Sequence, residues 1–283
     1  MRSIAARPVR LPATPYYRIW GRAETEPWYR NPNRETIGEV WFQASDSVPL
    51  LVKFLFTSDN LSVQVHPNDE YATKHHQSRG KTEMWHILRA EPGAKIAFGV
   101  RVPVTKEELR SAAESGAIVD LLHWIPVRPG ETYFIPAGTI HAIGGGLALC
   151  EVQQLSDITY RLYDYKRVDK DGKERELHLD HSIEVSKLEP GGAAQVVQQL
   201  EGGRELLVDC PYFRTERLVV KGRATVPARS KNLLCIALEG EGSIATESAG
   251  DQQFAVGETW EVPAGESVEI SSQSAVFLIT SEP

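Results

Sequence analysis

Four side chains of this sequence could together hold a divalent cation: Gln64 and His66 in VQVHP, Glu83 in GKTEMWHIL, and His141 in IPAGTIHAI. Two imidazole nitrogens, a carboxylate oxygen and an amide oxygen suit a first-row divalent ion and leave positions for water or a substrate hydroxyl. Leu61, Val63 and Val65 alternate with Ser62, Gln64 and His66, so as a strand this segment projects its three polar residues from one face. Such a face is either wetted by solvent or turned into a polar site. Lys81 lies two residues before Glu83 and shares its face if that segment is also a strand, while His86 takes the other face. His75 and His76 are adjacent on a predicted polar helix and diverge by about 100°. His178 and His181 fall in the charged run KERELHLDH, which reads as a solvated strand edge.

The elements that must position these groups are mostly strands. IGEVWFQAS, LLVKFLF, MWHIL, AKIAFGV, TYFIPAG, LALCEVQQ and ITYRLYDY are short, rich in β-branched and aromatic residues, and punctuated by Gly and Pro. Residues 1–35, dense in Pro, Arg and aromatics, read as an irregular arm. Thr105 and Glu108 form a T-x-x-E capping box for a helix over 105–115 that Gly116 stops, and a second short apolar helix is expected over 118–124. Another short helix starts near Asn68. Residues 144–167 read as strand, turn and strand leading to an Asp171-Gly172 hairpin turn, with Glu151, Asp157, Arg161, Lys166 and Arg167 along them. Arg161, bracketed by Tyr160 and Tyr163, is suited to hold a carboxylate or phosphate.

A repeat organises the chain. GETYFIPAG at 130–138 and GETWEVPAG at 257–265 match at six of nine positions with an offset of 127, and KIA at 95–97 can be set against SIA at 243–245 with an offset of 148. The 21-residue difference is close to the length of 105–124, which is then an insertion in the first copy. Glycine-punctuated strands ending in P-x-G are the pattern of double-stranded β-helix barrels, the jelly rolls and cupins. The expected fold is therefore all-β dominated: two cupin-type barrels with a small helical insertion in the first. Residues 1–190 carry the arm and the first barrel, with the insertion at about 105–124, and 191–283 form the second. These offsets align His141 with Val268 and Glu83 with Lys231, so the candidate ligands vanish in the second copy. The first barrel is expected to bear metal and the second to lack it.

Composition narrows the partners. The 283 residues are 41% hydrophobic and 24% charged, and 31 Lys plus Arg against 38 Asp plus Glu give a net charge of −7 with the basic residues scattered, which offers no footprint for nucleic acid or an anionic membrane. A small-molecule partner is expected instead. Cys150, Cys210 and Cys235 are odd in number and widely spaced, as free thiols in a reducing compartment would be; no signal peptide or apolar span is read, and the expected place is the cytoplasm.

The blocks KFLFTSDNLSVQVHPND, GKTEMWHIL, IPAGTIHAI and EVQQLSDITYRLYDYKR, with IGEVWFQAS upstream, resemble the successive motifs of type I mannose-6-phosphate isomerases in their short bacterial form, over about residues 16–185. Those are zinc enzymes of the cupin class. The resemblance implies one Zn2+ per chain on Gln64, His66, Glu83 and His141, the four residues already singled out. It also carries active-site lysines onto Lys53 and Lys81, the family's arginine onto Arg161, its aspartate onto Asp157 and its serine onto Ser62. Trp20-Gly21-Arg22 departs from the family's W-G-G, which bears on the entrance to the site.

The implied reaction interconverts mannose 6-phosphate and fructose 6-phosphate by moving a proton between C2 and C1 through a cis-enediol, which needs a base over the carbon and a cation near the oxygens. Lys81, its pKa lowered by burial and zinc, or Glu151 is the expected base. Arg161 with Lys53 or Arg167 would take the phosphate, Asp157 would orient Arg161 or a sugar hydroxyl, and Ser62 would reach the substrate. The chain would act as a monomer or homodimer. Two other classes use the same barrel: another metal-cupin enzyme, such as an oxygenase or an isomerase of a different sugar, and a non-catalytic sugar-binding cupin.

Overall fold

The computed structural model describes residues 7–168, 172–191 and 197–283. Strands take up 47% of it and helices 12%, so the architecture is all-β with a helical layer on one side. Two antiparallel sheets build the first barrel. One has the order Thr14–Arg22, Ile37–Gln43, Leu50–Phe56, Leu147–Gln154, Glu83–Ala90, Thr132–Ile135, and the other the order Tyr160–Tyr163, Val63–Val65, His141–Ile143, Lys95–Val100, Leu122–Pro126. A nine-stranded sheet, made of eight strands over 198–281 and Val9–Arg10 as an edge strand beside Thr259–Val262, curls into the second cupin-type barrel.

Alternation along the shared strands explains why the two barrels pack. Leu55, Trp85, Ile87 and Leu149 point into the first barrel's interior. Their neighbours Phe54, Phe56, Met84, Cys150 and Val152 point the other way, into a core completed by Phe213, Leu234, Ile236 and Leu278 of the second barrel. Both faces of Leu50–Phe56 and of Leu147–Gln154 are thus buried, and each of these large side chains contributes about 1.5–3 kcal/mol by leaving water. The repeat is visible in backbone geometry. Gly130 and Gly257 both adopt φ near +87° with values of +88° and +85°, and Gly138 and Gly265 both have φ +83°, a left-handed conformation that only glycine reaches without strain.

Helix Lys106–Ser115 carries the expected capping box, with Thr105 accepting from the Glu108 N–H and Glu108 accepting from the Thr105 N–H, and it ends on Gly116. Asn68 caps Asp69–His76. Three local expectations fail. The arm is not irregular throughout, since Thr14–Arg22 is a nine-residue edge strand on Ile37–Gln43. The segment expected as a helix over 118–124 is helical only for Ile118–Leu121, after which Leu122–Pro126 pairs with Lys95–Val100, because an edge backbone was open beside it. KERELHLDH is no strand edge: Leu179–Val185 is a helix that buries Ile183 against Leu109, Ala112 and Ala113. Asp171, half of the expected hairpin turn, lies outside the described residues.

Candidate metal centre

Strand pairing brings the separated motifs to one place. Within the second sheet His141 stands opposite Gln64, and Gln64 opposite Arg161; within the first, Glu83 pairs with Gln153, and Glu151 pairs with both Trp85 and Lys53. His66, Glu83 and His141 meet where the two sheets close on each other, with one donor atom from each lying within 4.8 Å of the others. Glu83 Oε2 is 3.5 Å from His66 Nε2, and Glu83 Oε1 is 3.6 Å from His141 Nε2. All three side chains are buried. His66 Nδ1 is 2.9 Å from the Ile158 carbonyl and His141 Nδ1 is 2.8 Å from the Thr139 carbonyl, so each Nδ1 carries the proton and each Nε2 turns a lone pair inward. His141 Nε2 and Glu83 Oε1 make no hydrogen bond among the described residues, while Glu83 Oε2 faces Lys81 Nζ at 2.8 Å. Buried polar atoms left this way cost about 1–3 kcal/mol each, a cost a bound cation would remove.

Electrostatics favours the same state of charge. Burial pushes the His141 imidazole down to about 4, and burial together with Lys81 lowers His66, so both are neutral and able to ligate. Burial and the Glu151 charge push Glu83 up to about 7 in spite of Lys81 Nζ at 2.8 Å from its Oε2. A dication would reverse that upward push. The donor set therefore fits zinc: two neutral imidazoles and a carboxylate, with Gln64 half-buried on the adjacent strand and its amide open to the cavity.

Lys81, 2.8 Å from Glu83, and Gln64, paired with His141, connect the three ligating candidates to a cavity of about 410 Å³. Ser62, Gln64, Lys53, Lys81, Glu151, Asp157 and Arg161 all line it. Lys53 Nζ lies 3.4 Å from Glu151 Oε1 and 4.4 Å from the centre of the Trp41 ring, and Glu151 Oε2 accepts from Trp85 Nε1 at 3.0 Å.

Known proteins match this chain. Residues 19–86 fit the sequence family described as phosphomannose isomerase type I, catalytic domain. The chain is 42% identical to the mannose-6-phosphate isomerase ManA of Bacillus subtilis over 219 residues, which are 73% of this chain and 69% of that one. It is 39% identical to the mannose-6-phosphate isomerase of Streptococcus mutans over 221 residues, 77% and 69% of the two chains. The chain belongs to the type I mannose-6-phosphate isomerase family. It is an aldose–ketose isomerase. The crystal structure of a Bacillus subtilis mannose 6-phosphate isomerase superimposes with a TM-score of 0.86 at 27% identity, over 96% of this chain and 99% of that one. A zinc-bound mannose 6-phosphate isomerase shares the fold at a TM-score of 0.76 and 15% identity, over 98% and 100%.

Within this isomerase the structure departs from the sequence reading at several residues. Lys81 was expected to have its pKa lowered by burial and zinc. Burial acts in that direction, but before any metal is counted Glu83 and Glu151 outweigh it and raise Lys81. Glu151 is buried too, yet Lys81 and Lys53 hold its carboxyl below the ordinary value. Arg167 does not reach the cavity, because Asp164 at 2.5 Å and the Asn60 carbonyl at 2.7 Å hold its guanidinium elsewhere. Asp157 lines the cavity with no ion pair to Arg161 among the described residues. Arg18, Glu39 and Arg175 line the cavity and were missed. Arg18 lay in the supposedly irregular arm and Arg175 in the supposedly solvated run. His75 and His76, read as divergent, both lie beside the helix residue His181, with ring centres 5.5 and 5.8 Å from it.

Proposed function

We propose that this isomerase interconverts mannose 6-phosphate and fructose 6-phosphate through a cis-enediol, with one zinc ion held by Gln64, His66, Glu83 and His141. The observation that carries the reading is the convergence of His66 Nε2, His141 Nε2 and the Glu83 carboxylate, buried and mutually facing, next to Lys81 and Gln64 of a cavity walled by acid, lysine and arginine. Bound zinc would polarise the sugar carbonyl and offset the negative charge of the enediolate.

The chain's own groups then divide the remaining work. Glu151 is the ionised carboxylate facing the cavity, while Lys81 is protonated, so Glu151 takes the proton from carbon and returns it to the neighbouring carbon. Its bonds from Lys53 and Trp85 fix the carboxylate plane and still leave lone pairs for that transfer. Lys81, as an ammonium, donates to a sugar oxygen and holds Glu83 in place. Ser62 and Asp157 meet sugar hydroxyls at the wall. Arg161 takes the phosphate: its Nε is buried without a hydrogen-bond partner, and burial and the nearby Arg175 make its charge costly until an anion arrives.

In this proposal residues 1–190 do the chemistry and 191–283 hold no metal, although Val9–Arg10 pairs into the second sheet. The three free thiols fit a cytoplasmic setting, and no helix among the described residues is long and apolar enough to cross a membrane. The deciding experiment measures zinc content together with mannose 6-phosphate turnover, before and after chelation and after zinc is restored. Turnover should fall with the metal and return with it. A His141→Ala variant that kept stoichiometric zinc and full turnover would break the ligand assignment.

A further inference from the structure

The second barrel keeps an opening where the first has its active site, and the register of the strands shows which residues stand there. In the first barrel Tyr133 pairs with Trp85, Trp85 with Glu151, and Glu151 with Lys53. In the second, Trp260 pairs with Cys235, Cys235 with Ile279, and Ile279 with Glu216. Glu216 therefore occupies the position of Lys53. The turn glycines extend the match: Gly138 donates its N–H to the His66 carbonyl, and Gly265 donates its N–H to the Arg229 carbonyl. In that turn contact Arg229 takes the place of His66.

Around this position the charge type is inverted. Glu216 is 1% exposed, and three guanidiniums converge on its carboxylate: Arg204 Nη1 at 2.9 Å, Arg214 Nε at 2.9 Å and Arg229 Nη2 at 2.6 Å. Arg229 Nη1 also donates to Ser281 Oγ at 3.1 Å, and Arg214 Nη1 to Asp209 at 2.6 Å. One buried carboxylate balances only one of the three cations. The three arginines, Glu216 and Ser281, with Ser230, Glu282 and Pro283, line an opening of about 330 Å³; with Asp209 on Arg214 the three guanidiniums meet three carboxylates, so what the cluster has to spare is N–H donors and not charge. Each guanidinium has five N–H donors in a planar fork, and Glu216 occupies a minority of them.

We propose that the mouth of the second barrel, formed by Arg204, Arg214, Arg229 and Ser281, binds a small oxyanion of the phosphate class. Glu216 is a positioning residue: it fixes the three forks, and their remaining donors take the anion. This site is separate from the cavity of the first barrel, and the reading of that cavity does not bear on it.

The test is hydrogen exchange on the zinc-loaded enzyme with and without inorganic phosphate. Phosphate should slow exchange of amides within 204–216, 229–232 and 281–282 severalfold, in addition to any effect near Arg161. The variant Arg204→Met/Glu216→Gln removes one charge of each sign, so it leaves no unpaired buried carboxylate. It should lose the protection in the second barrel while keeping kcat/KM for mannose 6-phosphate within twofold. Should that variant fail to fold, Arg229→Lys serves instead, since it keeps the charge but not the fork and should weaken the protection at least tenfold in phosphate concentration. Protection confined to the first barrel in the wild-type enzyme would overturn the proposal, and so would second-barrel protection that persists unchanged in the folded variants.

Discussion

Arg161→Met tests the phosphate assignment most directly. Arg161 sits on Tyr160–Tyr163 with its backbone locked to Gln64 and its Nη1 donating to the Glu176 carbonyl at 3.0 Å, so the guanidinium is held while its Nε has no partner. A charge-assisted hydrogen bond to phosphate contributes about 1.5–3 kcal/mol, so losing the one from Nε should lower kcat/KM for mannose 6-phosphate by roughly 10-fold to 150-fold. For unphosphorylated mannose, measured at high enzyme concentration, the same substitution should change kcat/KM by less than about threefold, because no anion is there to lose. Arg161→Lys retains the charge without the fork and should fall between the two. The assay is steady-state kinetics on both sugars, with the melting temperature recorded to show that the Glu176 contact has not been the real loss. Equal losses on the two sugars would refute the reasoning, since a residue that positions only phosphate cannot distinguish itself on a substrate without one.

Other outcomes follow from the same geometry. Glu151→Gln should lower kcat by about 10²- to 10⁴-fold with little change in KM and with zinc retained, as read from kinetics and metal analysis; normal turnover would pass the role of base to another group. His86 lies outside the metal cluster, buried between the barrels with Nδ1 2.9 Å from Thr132 Oγ1, and burial with the Arg217 charge pushes it down to about 4. Its folded pKa is below the unfolded value, so stability is full above about pH 6.5 and declines as pH falls towards 4, by about 3 kcal/mol in all and about 2 kcal/mol by pH 5. His86→Gln lacks that dependence; its deficit against wild type in urea unfolding should shrink by about 2 kcal/mol between pH 7 and pH 5, and an unchanged deficit would contradict the burial argument.

The barrel and most of its chemistry were legible because period-two alternation is a local property. VQVHP places Gln64 and His66 together whatever the rest of the chain does, and the capping box at Thr105 needs only four residues to declare itself. What escaped was set by long-range pairing. Arg18 and Arg175 reach the cavity from an edge strand and a loop whose sequences carry no alternation, and only the closed barrel brings them in. The burial of Lys81 is readable from sequence, but two carboxylates aimed at the same ammonium are not.

The ladders refine the alignment of the two copies from which the loss of the candidate ligands was read. Ladder pairing puts Phe98 with His141 and Thr246 with Val268, which agrees with the offset of 127 used for His141 and with the 148 that sets KIA against SIA. Glu83, however, pairs with Ile135 as Leu233 pairs with Val262, so its counterpart is Leu233 and not Lys231. The offset there is 150, because the turn between Leu233–Glu239 and Gly242–Thr246 is two residues shorter than the turn between Glu83–Ala90 and Lys95–Val100. Gln64, opposite His141, corresponds to Val226, opposite Val268. The corrected counterparts Val226, Leu233 and Val268 are all in the second barrel's apolar core, which explains their loss more fully than a surface lysine did. A buried ligand set without its cation leaves polar atoms unmet, so a barrel that gives up the metal must replace its ligands with hydrocarbon or with charges that satisfy one another. The second barrel does both, with valine and leucine inside and arginine paired to glutamate at the mouth.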